Sequence, residues 1–148
     1  MSGIDECLLE VMRLPGARGG AVVDWTSGLA LGTIGDSPNG DHEATAAETA
    51  EVARMAAEQP AFALSDPEPS TGPEPSTGPA GTAVTGTGAA PPVEDVIITT
   101  RAGYHILRFV ETAFDSSVFL HLWLDRSDGN LALARIRLGE MAKRLVLA

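Results

Sequence analysis

The sequence predicts one α+β domain, and three observations carry that reading. The first is Val118 to Leu124, Val-Phe-Leu-His-Leu-Trp-Leu. Val118, Leu120, Leu122 and Leu124 alternate with the rings of Phe119, His121 and Trp123. Alternate side chains of a strand point to opposite faces, so both faces here carry bulk. Such a strand belongs in the middle of a sheet covered on both sides. The second observation is that strand patterns recur in closely spaced pairs, Gly19 to Trp25 with Leu29 to Ile34, and Glu94 to Arg101 with Tyr104 to Glu111. Short connections at Thr26-Ser27-Gly28 and Ala102-Gly103 make each pair a hairpin. The third is helical spacing of small and apolar residues in 2–14, 41–59 and the C-terminal stretch. The order along the chain is αββα, an insert, then βββα.

Ile4, Cys7, Leu8, Val11 and Leu14 fall on one face of the first helix, with Ser2 as its cap and Pro15-Gly16 as its stop. Cys7 lies on that apolar stripe with no base near it in sequence, and reads as a small buried hydrophobe. Gly16, Gly19 and Gly20 do not form a phosphate-binding loop, because no Gly-Lys-Ser/Thr follows and the chain runs on into a strand.

Asp41 is placed to cap the second helix, with Glu43 in its first turn. Thr45, Ala46, Thr49, Ala50, Val52, Ala53, Ala56 and Ala57 form one broad face of small residues. Ala44, Ala47, Glu48, Glu51, Arg54, Met55 and Glu58 form the other. The small face packs on the domain's own sheet, and part of it is suited to meet another helix.

Residues 60–93 read as a low-complexity insert. Pro-Glu-Pro-Ser-Thr-Gly occurs at 67–72 and again at 73–78. This composition lacks the apolar surface that would offset the entropy of ordering it. After the central strand, Asp125-Arg-Ser-Asp-Gly-Asn makes a turn, with Asp128 or Asn130 as cap. Leu131, Ala134, Leu138, Met141 and Leu145 then mark one face of the last helix. All 148 residues are expected to form a single domain interrupted by the insert.

Charge is uneven. Residues 1–60 hold 10 acids and 3 bases, 61–93 hold 3 acids and no base, and 94–148 hold 7 of each. The acidic N-terminal half argues against nucleic acid or an anionic membrane as partner. No apolar run reaches the roughly 20 residues that span a bilayer, and Asp5 and Glu6 stand where a signal peptide carries positive charge. The expected location is the cytoplasm, with no membrane insertion.

The chain shows no catalytic pattern. His42, His105 and His121 are its only histidines, and no H-x-x-x-H or H-E-x-x-H spacing joins them. No Gly-x-Ser-x-Gly elbow occurs. His121 reads as a packed, hydrogen-bonded residue. Glu48 and Glu51 read as a solvated helix face rather than an acid–base pair. No catalytic, cofactor or metal residues are expected.

Three stretches together are similar to the Roadblock / dynein light-chain family. They are Gly-Gly-Ala-Val-Val-Asp-Trp-Thr-Ser-Gly-Leu-Ala-Leu, Gly-Tyr-His-Ile-Leu-Arg-Phe-Val, and Phe-Leu-His-Leu-Trp-Leu-Asp-Arg-Ser-Asp-Gly-Asn-Leu-Ala-Leu-Ala-Arg. The last is close to the form in actinobacterial members. The resemblance covers about 1–60 and 94–146, and the insert departs from it. It implies a five-stranded antiparallel sheet in order 2-1-5-4-3 with helices on both faces.

It also implies a homodimer made through the second helix and third strand, and a small Ras-like GTPase as partner. The small-residue helix face and the β-branched strand, a bare edge in that order, agree with the first point. The expected dimer interface is Thr49, Ala50, Val52, Ala53, Ala56, Val96 and Ile98. The expected GTPase-binding residues are Glu48, Glu51, Met55 and Glu58. The competing expectation is a profilin-like small-ligand sensor, which requires a cavity with polar contacts.

Overall fold

A computed structural model describes residues 3–63, 92–110 and 117–145. Among these residues three α-helices and five strands follow the expected order, as α1 (Gly3–Val11), β1 (Ala17–Asp24), β2 (Leu29–Gly35), α2 (His42–Glu58), β3 (Asp95–Thr99), β4 (Gly103–Val110), β5 (Val118–Asp125) and α3 (Leu131–Arg144). The strands form one antiparallel sheet in order β2-β1-β5-β4-β3. β5 is central and buried along its length apart from Asp125, as an apolar pattern on both faces requires.

Each face of the sheet has its own core. Leu120, Leu122 and Leu124 point into one, with Ile106, Val110 and Val22, beneath Cys7, Leu8 and Val11 of α1 and Ala134, Leu138 and Met141 of α3. Phe119 points into the other, with Leu107, Phe109 and Val23, beneath Ala46, Ala50 and Ala53 of α2. The phenyl rings supply the volume and the alanines let the helix backbone come close to the sheet.

The caps follow the sequence. Asp41 accepts hydrogen bonds from the amides of Glu43 (3.0 Å) and Ala44 (3.2 Å). Asn130, not Asp128, caps α3 by accepting from Leu133 N at 3.0 Å. Ser2, the expected cap of α1, lies outside the described residues. The Gly19-Gly20 pair is explained by crowding. A Cβ on Gly19 would lie 2.0 Å from the Asp36 carbonyl oxygen, and one on Gly20 would lie 3.0 Å from that of His121.

The boundaries of the insert are narrower than the composition suggests. Pro60–Phe62 forms one 3-10 turn after α2, and Val93 packs against the core beneath it. The tandem repeat at 67–78 lies outside the described residues, as does Glu111, the expected end of β4. β3 is also shorter than expected. Thr100 leaves the strand, and its hydroxyl accepts from the amides of Ala102 (3.1 Å) and Gly103 (2.9 Å).

Candidate interaction surfaces

The two edges of the sheet differ in what they present. β2 pairs with β1, but Val22 lies opposite Gly32 and Val23 opposite Ala30, so Leu31 is an unpaired bulge. The amide of Asp36 bonds the Arg18 carbonyl at 2.9 Å. Alternation along an antiparallel pair then turns the backbone of Thr33 and Gly35 outward. His42 Nε2 meets the Gly35 carbonyl oxygen at 3.0 Å. A bulge and a side-chain cap thus blunt this edge.

Among the described residues β3 has no such device. Phe109 N bonds Glu94 O at 3.0 Å and Thr100 N bonds Gly103 O at 2.8 Å. With Val96 opposite Leu107 and Ile98 opposite His105, the even residues of β3 bond β4. Asp95, Ile97 and Thr99 therefore turn their amides and carbonyls outward. Asp95, the only charge on the strand, does not guard it. Its carboxylate lies 2.8 Å from Arg135 Nε and 3.7 Å from Arg108, and is only 10% exposed.

The expected interface residues divide between core and surface. Ala50 and Ala53 are 1% and 0% exposed, buried on the domain's own sheet. They have no surface to give to a second copy. Thr49, Val52 and Ala56 lie about 90° round the helix from them and are half-buried. Thr49 directs its hydroxyl back to the carbonyls of Thr45 (2.9 Å) and Ala46 (3.2 Å), which leaves its methyl group as contact surface. Val52 and Val96 pack against the same core, so the helix flank and the third strand are continuous. Ile97 and Ile98 are 37% and 38% exposed.

Glu48, Glu51, Met55 and Glu58 all lie on the exposed outer face of α2. Met55 is 59% exposed. Their electrostatics differ. Glu51 pairs with Arg54 at 2.9 Å, and Arg54 is itself held by the Trp25 carbonyl at 2.7 Å. Among the described residues Glu48 accepts one long hydrogen bond, 3.3 Å, from Asn39. Neither Glu48 nor Glu58 has an ion-pair partner among the described residues.

His121 is packed and hydrogen-bonded, as its pattern suggested. It is 3% exposed, and its Nε2 lies 3.0 Å from Nδ1 of His105. The two imidazoles lie nearly parallel, joined edge to edge by this bond, His105 stacks on Trp123, and the Arg18 guanidinium lies 4.9 Å from the Trp123 ring centroid. Trp123 Nε1 donates to the Asp36 carbonyl at 2.8 Å. Burial, reinforced by the charges of His105 and His42, pushes the His121 pKa down to about 3. Burial lowers that of His105 too. The pair links β4 to β5, and among the described residues no carboxylate bonds either ring. Nothing in the sequence joins these residues, because they are 16 positions apart and only the strand register brings them together.

Cys7 is buried, and burial together with Glu10 pushes its thiol up to about 11. Such a thiol is inert at neutral pH. Among the described residues no group of histidine, cysteine and carboxylate side chains is placed to hold a metal ion, and no helix is long and apolar enough to cross a membrane.

No protein-family profile and no curated protein matches the chain. Solved structures do. MglB of Myxococcus xanthus superposes with a TM-score of 0.64 at 15% identity, over 97% of this chain and 84% of its own. A Roadblock/LC7 domain from Streptomyces avermitilis superposes with a TM-score of 0.58 at 13% identity, over 95% of this chain and 92% of its own. Their coverage extends over nearly the whole chain, and the strand order is the one that the sequence resemblance implied. The chain therefore folds as a Roadblock-like domain.

Proposed function

We propose that this chain is a cytoplasmic, non-catalytic regulatory or scaffold module that pairs with a second copy of itself and binds a small Ras-like GTPase. The observation that carries the reading is the β3 edge, unguarded among the described residues, beside the apolar flank of α2. Three outward amides and three outward carbonyls stand next to Val96, Ile98, Thr49, Val52 and Ala56. A two-fold axis at Ile97 pairs Ile97 with its copy and Asp95 with Thr99 of the copy, which satisfies all of these groups. Family likeness supports the same seam.

The GTPase reading rests on the acidic outer face of α2 and on that likeness. A rim of acids speeds association with a basic patch, and Met55 adapts to the shape of a partner. Regulation follows only when one nucleotide state binds better than the other, since equal affinity shifts nothing. The experiment measures binding of a GTPase encoded beside this chain, loaded with GDP or with a non-hydrolysable GTP analogue. It compares wild type with Glu48→Lys/Glu51→Lys. State-dependent binding that the variant loses supports a regulator. Equal binding of both states leaves a scaffold. No binding to any GTPase of the same organism overturns the reading and favours the small-ligand sensor.

A further inference from the structure

An acidic stripe with a single methionine supplies rate and little affinity, which comes from buried apolar anchors. Such anchors are exposed beside the stripe. Leu29 is 65% exposed and Leu31, the unpaired residue of the bulge, is 47% exposed. They lie along a cleft of about 470 Å³, with the strand from Gly28 to Thr33 on one side and His42 and Glu43 at the start of α2 on the other. The cleft is continuous with the helix, since a Cβ on Gly28 would lie 3.9 Å from the Cα of Ala47. Glu43 has no ion-pair partner among the described residues.

We infer that the cleft between β2 and α2 is the apolar half of the partner-binding surface, and that it takes a protein segment whose apolar side chains are flanked by lysine or arginine. The inference deepens the GTPase reading and rests on it. Three features select this occupant. The exposed side chains are leucines, so the segment meeting them is apolar. The rim carries a carboxylate, within a 60-residue stretch holding 10 acids against 3 bases, so the flanking charges are positive. The Leu31 bulge and the His42 cap on the Gly35 carbonyl work against strand addition, so the segment docks through side chains and does not extend the sheet. The same features disfavour a second copy here.

The test uses the full-length chain and the neighbouring GTPase in whichever nucleotide state binds better. Leu29→Ser/Leu31→Ser is expected to weaken binding at least about 30-fold, mainly through faster dissociation. Glu43→Lys is expected to slow association and to reduce its dependence on salt. Both leucines are exposed, so an unchanged thermal transition verifies the fold. Wild-type affinity in the leucine variant, with binding lost in Glu48→Lys/Glu51→Lys, overturns this inference and leaves the functional reading standing. A leucine variant that changes oligomeric mass by light scattering also overturns it, because the cleft is then a contact between copies. Failure of the wild type to bind the GTPase overturns the functional reading, and this inference with it.

Discussion

Replacing Ile97 with proline separates the β3 edge from the fold that carries it. The amide of Ile97 points away from β4, so proline removes no hydrogen bond from the domain's own ladder. In a dimer paired at Ile97 the substitution removes two donors, one from each copy. A lost hydrogen bond costs about 1 kcal/mol, and leaving its carbonyl partner dry costs about 1–3 kcal/mol. Two such losses give about 2–6 kcal/mol, so the dissociation constant rises at least about 30-fold. Sedimentation equilibrium over a concentration series reads this directly, and thermal melting reads the fold. Val96→Pro is the control, because the Val96 amide faces Leu107 on β4 and its loss should lower the melting temperature. An Ile97→Pro protein that dimerises like wild type shows that the seam is elsewhere. A wild type that is monomeric at tens of micromolar refutes the homodimer itself.

Ala53→Glu is expected to unfold the domain rather than dissociate it, losing at least about 3 kcal/mol in urea, because a carboxylate there sits unpaired beneath α2. Ala56→Glu, on the half-buried flank, is expected to weaken self-association with a smaller loss of stability; equal urea midpoints for the two variants would contradict this division of the helix. Acidification is expected to destabilise the fold through His121. Its folded pKa is depressed from 6.5 to about 3, so the unfolded chain takes up the proton first and stability falls as pH drops below 6.5. At pH 5 the loss from this group is about 2 kcal/mol, and denaturation curves that coincide at pH 7.5 and 5 would rule it out. Cys7 is expected to resist a thiol reagent at pH 8 until the domain unfolds, and fast labelling of native protein would show that the first helix opens. Deleting residues 66–90 and joining the ends with a few glycines is expected to move the melting temperature by no more than a few degrees; a larger drop would mean that the insert packs on the core.

The sequence was legible where local patterns and global packing ask for the same thing. Val118–Leu124 is bulky on both faces and the structure buries both. Asp41 is a good cap in any helix that begins after it, and it caps α2. Legibility failed where the answer depends on a second element. A helical wheel gives the angle between Ala53 and Ala56 but not the direction of the sheet, so one small-residue stripe contained both core and surface. A period of two gives the alternation along β2 but not which set of residues is covered, so Leu31 reads as one more apolar residue of β2, whereas the structure leaves it exposed with Leu29 and Thr33. The His105–His121 pair needs the β4–β5 register before it exists at all.

The same limit applies to what closes or opens a sheet edge. β2 and β3 are both short and apolar. The blunting of β2 by His42 and the neutralisation of Asp95 by Arg135 come from residues that are distant in the chain. Self-association can select one edge only if the other is closed. The residues that close β2 also border the cleft that exposes Leu29 and Leu31. On the proposed reading, one end of the sheet takes a copy and the other a different partner, and the two contacts would not compete for surface.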